Sequence, residues 1–277
     1  MSAFDAVADL AVLVLVSLVP ALLYLSWVRR TERFQHGSWG PILGAFAYGA
    51  LFATVVAAIL EAVIVGLGTS VSAQYPGPEF LFLNGNSTLG AFFLVLVIAP
   101  FVEEGLKGSG VYSYRAQIRS VADGPVFGAS VGLGFGFFET FLYGLAAYLA
   151  GGLEAGIALI LIRSVSSVLL HGSSTGMFGY GYARSKFHVP GAGTGSYYLL
   201  AVAMHSAFNV LASLAAIVVV FGISGVAVSL TSLLALLAAV AFAFLAIEHV
   251  RHVIATSSYP ALLPGSHRPR PPAGRPR

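Results

Sequence analysis

The sequence predicts an all-α protein, a polytopic bundle of about seven transmembrane helices with its N-terminus outside and its C-terminus cytoplasmic. Three observations carry this reading. Of 277 residues, 57% are hydrophobic and 9% charged, with a mean hydropathy of +0.87, where soluble domains carry about 25% charge. Apolar stretches of about 20 residues, enough to cross a hydrocarbon core of about 30 Å as a helix, recur along the chain. Lys and Arg fall in every second connection between those stretches. The absence of cysteine removes thiolate catalysis and cysteine-based zinc sites. The formal charge of +3 is scattered singly and at one tail rather than along a track, so the lipid bilayer is the expected partner and no nucleic acid is.

The first span, Asp5 to Val28, has no cation before it and no small-residue cleavage site after it; Arg29, Arg30 and Arg33 follow directly. It reads as a retained anchor rather than a signal peptide. The further spans run from Trp39 to Gly66, Thr88 to Tyr112, Val121 to Leu149, Gly156 to Ala183, Ser196 to Phe221 and Gly225 to Val250. Cations follow the third span (Arg115, Arg119), the fifth (Arg184, Lys186) and the seventh (Arg251, then Arg268 to Arg277), whereas Leu67 to Ser87, Ala150 to Ala155 and Gly222 to Ser224 hold none. That alternation sets the expected orientation in a multi-pass protein of the cell membrane. Residues 1–256 are expected to form one integral-membrane domain. Residues 257–277 are a basic Pro/Arg-rich tail with too little apolar surface to pack. No repeat or pair of broken helices is evident, which weighs against an inverted-repeat transporter.

Several polar residues fall where lipid should be. Of 14 cations only Lys107 and Arg163 lie inside spans, and of 11 acids Glu61, Glu103, Glu104 and Glu139 lie at depth, with Glu248 near an end and other acids at or near span ends; His171 and His205 are also at membrane depth. Charge at membrane depth is retained mainly where it faces a protein interior or a wet cavity, so this set implies a site. Glu103 and Lys107, four residues apart, share a helix face, and Glu104 lies three before the same lysine. Two adjacent carboxylates in low dielectric do not both ionise easily, a condition useful to a general acid or base. In the fourth span Gly128, Gly132 and Gly136 recur every four residues and allow a close helix neighbour, with Glu139 near that packed side. In the fifth, Arg163, Ser167, His171 and Thr175 form a polar stripe; in the sixth, His205 and Asn209 share a face. Counted from the chosen span ends, Glu103, Glu104, His171 and His205 lie at one depth and Glu139 deeper. Glu61 reads as a structural polar contact, and Arg163 has no assigned role.

The ordered set of Glu103-Glu104-Gly105-Leu106-Lys107, Phe135 to Glu139, the His171 helix and the His205/Asn209 pair resembles the PrsW intramembrane proteases, relatives of the CAAX prenyl endopeptidases and bacteriocin-processing enzymes. The exit of the first span, Tyr24 to Arg33, is also similar, so the resemblance covers roughly Tyr24 to Asn209. It implies peptide-bond hydrolysis within the membrane, on single-span or membrane-associated protein substrates, anti-sigma factors among them. It assigns catalysis to Glu103, Glu104, Glu139, His171, His205 and Asn209. Glu103 or Glu104 would deprotonate water with help from His171, and His205 and Asn209 would stabilise the oxyanion. Glu103, Glu139, His171 and His205 are the implied ligands if a zinc ion takes part. The CAAX enzymes normally carry His where this chain has Glu139, and an Arg one position beyond Lys107; both departures favour the PrsW branch. The alternatives are a proton- or cation-coupled transporter using the same groups as a relay, a CAAX-type prenyl endopeptidase, or a catalytically inactive scaffold.

Overall fold

The computed structural model describes residues 3–32, 38–75 and 77–257. Among them there are helices and no strand: α1 (Ala3–Arg29), α2 (Trp39–Gln74), α3 (Thr88–Ser113), α4 (Asp123–Ser164), α5 (Ser167–Lys186), α6 (Thr194–Val220) and α7 (Val226–Ser257), with a 3₁₀ turn, Pro78–Leu83, between α2 and α3. The expected tail lies outside the described residues apart from Ser257, as does Arg33.

Among the described residues, six helical stretches are apolar and long enough to cross a membrane, and one of them, Asp123–Lys186, joins α4 and α5 over 64 residues. Straightened, it would reach about 96 Å against a core of about 30 Å, so it must cross twice. Gly152 provides the reversal with φ 81 and ψ −176, a conformation open to glycine. Residues before and after it pair in antiparallel: Gly124 meets Gly179, Gly128 meets Thr175 and Gly132 meets His171. A Cβ on Gly128 or Gly132 would stand 2.2 or 2.0 Å from the facing carbonyl oxygen, so the glycine face brings two backbones into direct contact. The fourth and fifth expected spans are the two arms of this hairpin. The described helices thus offer seven arms long and apolar enough to cross a membrane.

The bundle is inverted relative to a soluble core. Leu149, Phe221, Val226 and Leu245 are exposed, while Glu103, Glu104, Lys107, His171 and His205 are buried. In lipid the outer surface costs nothing to leave apolar, and charge is sheltered by the protein. Two expected ends move outward: α7 continues past Val250 to Ser257, and α2 past Gly66 to Gln74, because glycine within an apolar run weakens a helix without stopping it. The following turn folds back, with Gly85 N–H donating to Thr69 Oγ1 at 3.1 Å.

Two π-helical segments, Tyr48–Ala53 in α2 and Leu94–Ile98 in α3, shift the register of the helices that bear the site. In α3 the cause is local. Ala99 N–H bonds Leu94 O, five residues back, and Pro100 has no N–H, so Val95 O is left without a helical donor. Asn209 of α6 fills that vacancy, its Nδ2 donating to Val95 O at 2.8 Å. At the same end of the bundle as Ser113, α1 and α4 meet through two carboxyl groups. Glu32 is 3% exposed and bonds Asp123, whose Oδ2 accepts from the backbone N–H groups of Arg119 and Ser120 at 2.7 Å each. Burial, then the neighbouring Asp123, pushes the Glu32 carboxyl up to about 8.

Candidate functional site

Helical side chains lean toward the N-terminus of their own helix. Because α4 and the α5 arm run antiparallel, Glu139 leans toward His171 and His171 toward Glu139. Glu139 Oε2 is 2.8 Å from His171 Nε2, so the tilt closes the depth difference that the sequence leaves open. α3 contributes Glu103, Glu104 and Lys107 from a single turn, and α6 contributes His205.

Lys107, fully buried, is the centre of the network. Its Nζ lies 2.7 Å from Glu104 Oε1, 3.4 Å from Glu103 Oε2 and 2.9 Å from His171 Nδ1, with the Phe135 ring 4.3 Å away. An ammonium can only donate, so His171 Nδ1 accepts and His171 Nε2–H donates to Glu139. Glu139 also receives Arg163 Nη2 at 2.6 Å, and Ser167 Oγ bonds both that guanidinium, at 2.9 Å, and Glu139. The polar stripe of the fifth span thus divides its work: Arg163, Ser167 and His171 serve Glu139, and Thr175 serves Glu104.

The two adjacent glutamates differ sharply. Glu104 is saturated, with Oε1 accepting from Lys107, from Ser174 Oγ at 2.9 Å and from His205 Nδ1 at 3.1 Å, and Oε2 accepting from Thr175 Oγ1 at 3.2 Å. Glu103 has one long contact, to Lys107, and its Oε2 stands 3.9 Å from His171 Nδ1 and 3.9 Å from His205 Nε2. Since His205 gives its Nδ1–H to Glu104, its Nε2 presents a lone pair toward Glu103.

Glu103, His171 and His205 each offer one ligand atom, all within 4.8 Å of one another. This set fits a metal: two imidazoles and a carboxylate leave a fourth tetrahedral position open. Each imidazole also has its far nitrogen on a carboxylate, His171 on Glu139 and His205 on Glu104, the outer bonding that metal-bound histidines carry. Loading would require only that Lys107 release His171 Nδ1, and Glu104 already holds it more closely. Glu139, implied as a fourth ligand, lies instead on the opposite side of the His171 ring, where Arg163 and Ser167 hold it. Asn209 is likewise not brought into the cluster; its amide is bound to Val95 O. Ser174, which bonds Glu104, was not singled out from the sequence, although it neighbours Thr175 on a polar run and is fully buried.

The family model for the PrsW family intramembrane metalloprotease matches residues 37–250. Protease PrsW of Shouchella clausii (strain KSM-K16) is 29% identical over 178 residues, 63% of this chain and 70% of that protein. No solved structure matches.

Proposed function

The chain belongs to the PrsW family of intramembrane proteases, and from that premise we propose that it hydrolyses peptide bonds of single-span or membrane-associated proteins, anti-sigma-factor-like ones included, with Glu103 as general base. The observation that carries this reading is the convergence of Glu103 Oε2 with ligand atoms of His171 and His205 from three separate helices, within 4.8 Å, inside an apolar bundle. Glu103 takes the proton of a water as its oxygen bonds the scissile carbonyl carbon. The carbon–nitrogen bond then breaks, and the proton passes to the leaving nitrogen, directly or by way of the open Nε2 of His205. Lys107, the buried cation beside Glu103, offsets the negative charge that develops on the carbonyl oxygen. Glu104 is a positioning residue, holding Lys107 and the His205 tautomer; Glu139 does the same for His171. Asn209, expected at the oxyanion, is read instead as the residue that keeps α6 in register with α3. A zinc ion held by one oxygen of Glu103, by His171 and by His205 would close the His205 proton route, leave the second Glu103 oxygen for the proton, and supply Lewis-acid polarisation of the carbonyl and a more acidic water.

The test is cleavage of a pooled set of tagged single-span proteins by purified enzyme in liposomes. The wild type is expected to cut at least one member and Glu103→Gln none, with both variants melting at the same temperature. Equal cleavage by Glu103→Gln would remove Glu103 from the chemistry.

A further inference from the structure

Among the described residues, the buried side-chain atoms beside the site without a hydrogen-bond partner include the hydroxyls of Thr140 and Ser164 and two atoms of charged groups that are opposite in kind. Glu61 Oε1, on α2, is an acceptor; Arg163 Nε, on the returning arm of α4, is a donor. Such atoms are rare in native interiors and call for a missing partner.

Their placement says where that partner would lie. Thr54, Ala57 and Glu61 occupy one face of α2, and Ala57 packs on Phe135, whose ring lies under Lys107. Glu61 is therefore one turn farther along the face that covers the site. Its carboxyl group interacts electrostatically with Glu139 and Lys107, and both Glu61 and Arg163 act on Tyr143. The Arg163 guanidinium lies 4.0 Å over the Tyr143 ring. Both Glu61 and Arg163 are half-buried, and Leu60, Ile64 and Tyr143 beside them are exposed on the face turned to lipid. The pair thus stands between lipid and Glu139, which leads to His171.

A transmembrane helix cannot be cut while it is wound, because its peptide bonds are enclosed. Unwinding it in the bilayer frees backbone N–H and C=O groups that have no water to bond. Resting on the proteolytic reading above, we propose that Glu61 and Arg163 form an acceptor–donor rim that receives the main chain of an unwound transmembrane substrate: Glu61 Oε1 accepts a substrate N–H and Arg163 Nε donates to a substrate carbonyl. They are positioning residues that act on substrate binding and leave the chemistry to Glu103.

The test uses the best-cleaved member of the pooled single-span set, resynthesised with an ester in place of the amide at single positions flanking the cleaved bond, which deletes one N–H at a time. Glu61→Leu is expected to raise KM about fivefold to tenfold, as for loss of one hydrogen bond in a dry site, with kcat within about twofold. Glu61→Gln, which keeps an acceptor oxygen, should behave as the wild type. Arg163→Lys, which keeps a cation for Glu139 but lacks Nε, should also raise KM. One ester position should reproduce the Glu61→Leu effect in the wild type and add nothing in the variant. An unchanged KM in Glu61→Leu, or full additivity with every ester, would overturn the rim while leaving proteolysis intact. Failure of the wild type to cut any member would overturn the proteolytic reading itself.

Discussion

Glu103 and Glu104 are chemically identical neighbours, and the different tasks proposed for them follow from what surrounds each. Glu104 accepts from Lys107, His205, Ser174 and Thr175, whereas Glu103 has only a 3.4 Å contact with Lys107. Glu103→Gln should therefore abolish cleavage, a loss of at least about 10²-fold for a missing general base, with little change in melting temperature. Glu104→Gln should abolish cleavage too, but with a lower melting temperature, because the amide either sets its NH₂ against the three donors at Oε1 or turns it to Thr175, and in both cases removes the charge that balances Lys107. Equal stability of the two variants would contradict the division of roles. The donor set adds a second prediction: if zinc serves the reaction, purified protein should bind about one zinc per chain, His205→Ala should not, and a chelator should stop cleavage. The sequence shows that these acids and imidazoles belong together, because charge at membrane depth is rare and needs company. It cannot show which carboxylate oxygen keeps free lone pairs, since that depends on Ser174 and Thr175 from another helix. Asn209 is the instructive case. Its helical spacing from His205 points to the site, but its partner is a carbonyl vacated by a π turn and a proline in α3, and no periodicity reveals that.

At the scale of elements, the hairpin of α4 and α5 sets the site. Its glycine seam brings the two backbones together, and the antiparallel tilt of side chains then makes Glu139 and His171 meet. Gly132→Ala would put a Cβ 2.0 Å from His171 O, a contact that backbone must move to relieve. It should lower the melting temperature and sharply reduce cleavage, whereas Gly66→Ala, with nothing within 4 Å of its added carbon, should do neither. The four-residue glycine spacing makes this seam legible in the sequence. The extent of α2 is less so, because hydropathy reports where lipid ends and not where helical hydrogen bonding ends. Asn209→Leu should destabilise by roughly 1–3 kcal/mol, the cost of leaving Val95 O unpaired in lipid, and should spare kcat more than His205→Ala does.

For the whole molecule, apolar residues face outward and the charged cluster sits within, the arrangement expected from hydropathy and from the short connections of the chain. Glu32, outside the spans, and Asp123, the first residue of α4, tie the end of α1 to the start of α4 through their carboxyl groups. Glu32 titrates near 8 in the folded protein against an ordinary 4.5, so the fold holds its proton more tightly than the unfolded chain does. Stability from this group is complete below about pH 4.5 and falls as pH rises toward 8. Glu32→Gln should flatten that decline in melting curves taken across the range, and an unchanged slope would show that Glu32 is not the group responsible. The proposed orientation, with α1 entering from outside and Arg115, Arg119, Arg184 and Lys186 inside, rests on the cations alone. The central claim is that one buried carboxylate, facing two imidazoles inside a membrane bundle, cuts peptide bonds. It is tested most directly by incubating purified wild type and Glu103→Gln, each folded in liposomes, with the pooled tagged single-span proteins. The wild type should release cleaved fragments and Glu103→Gln none; fragments from both at equal rates, or from neither, would contradict it.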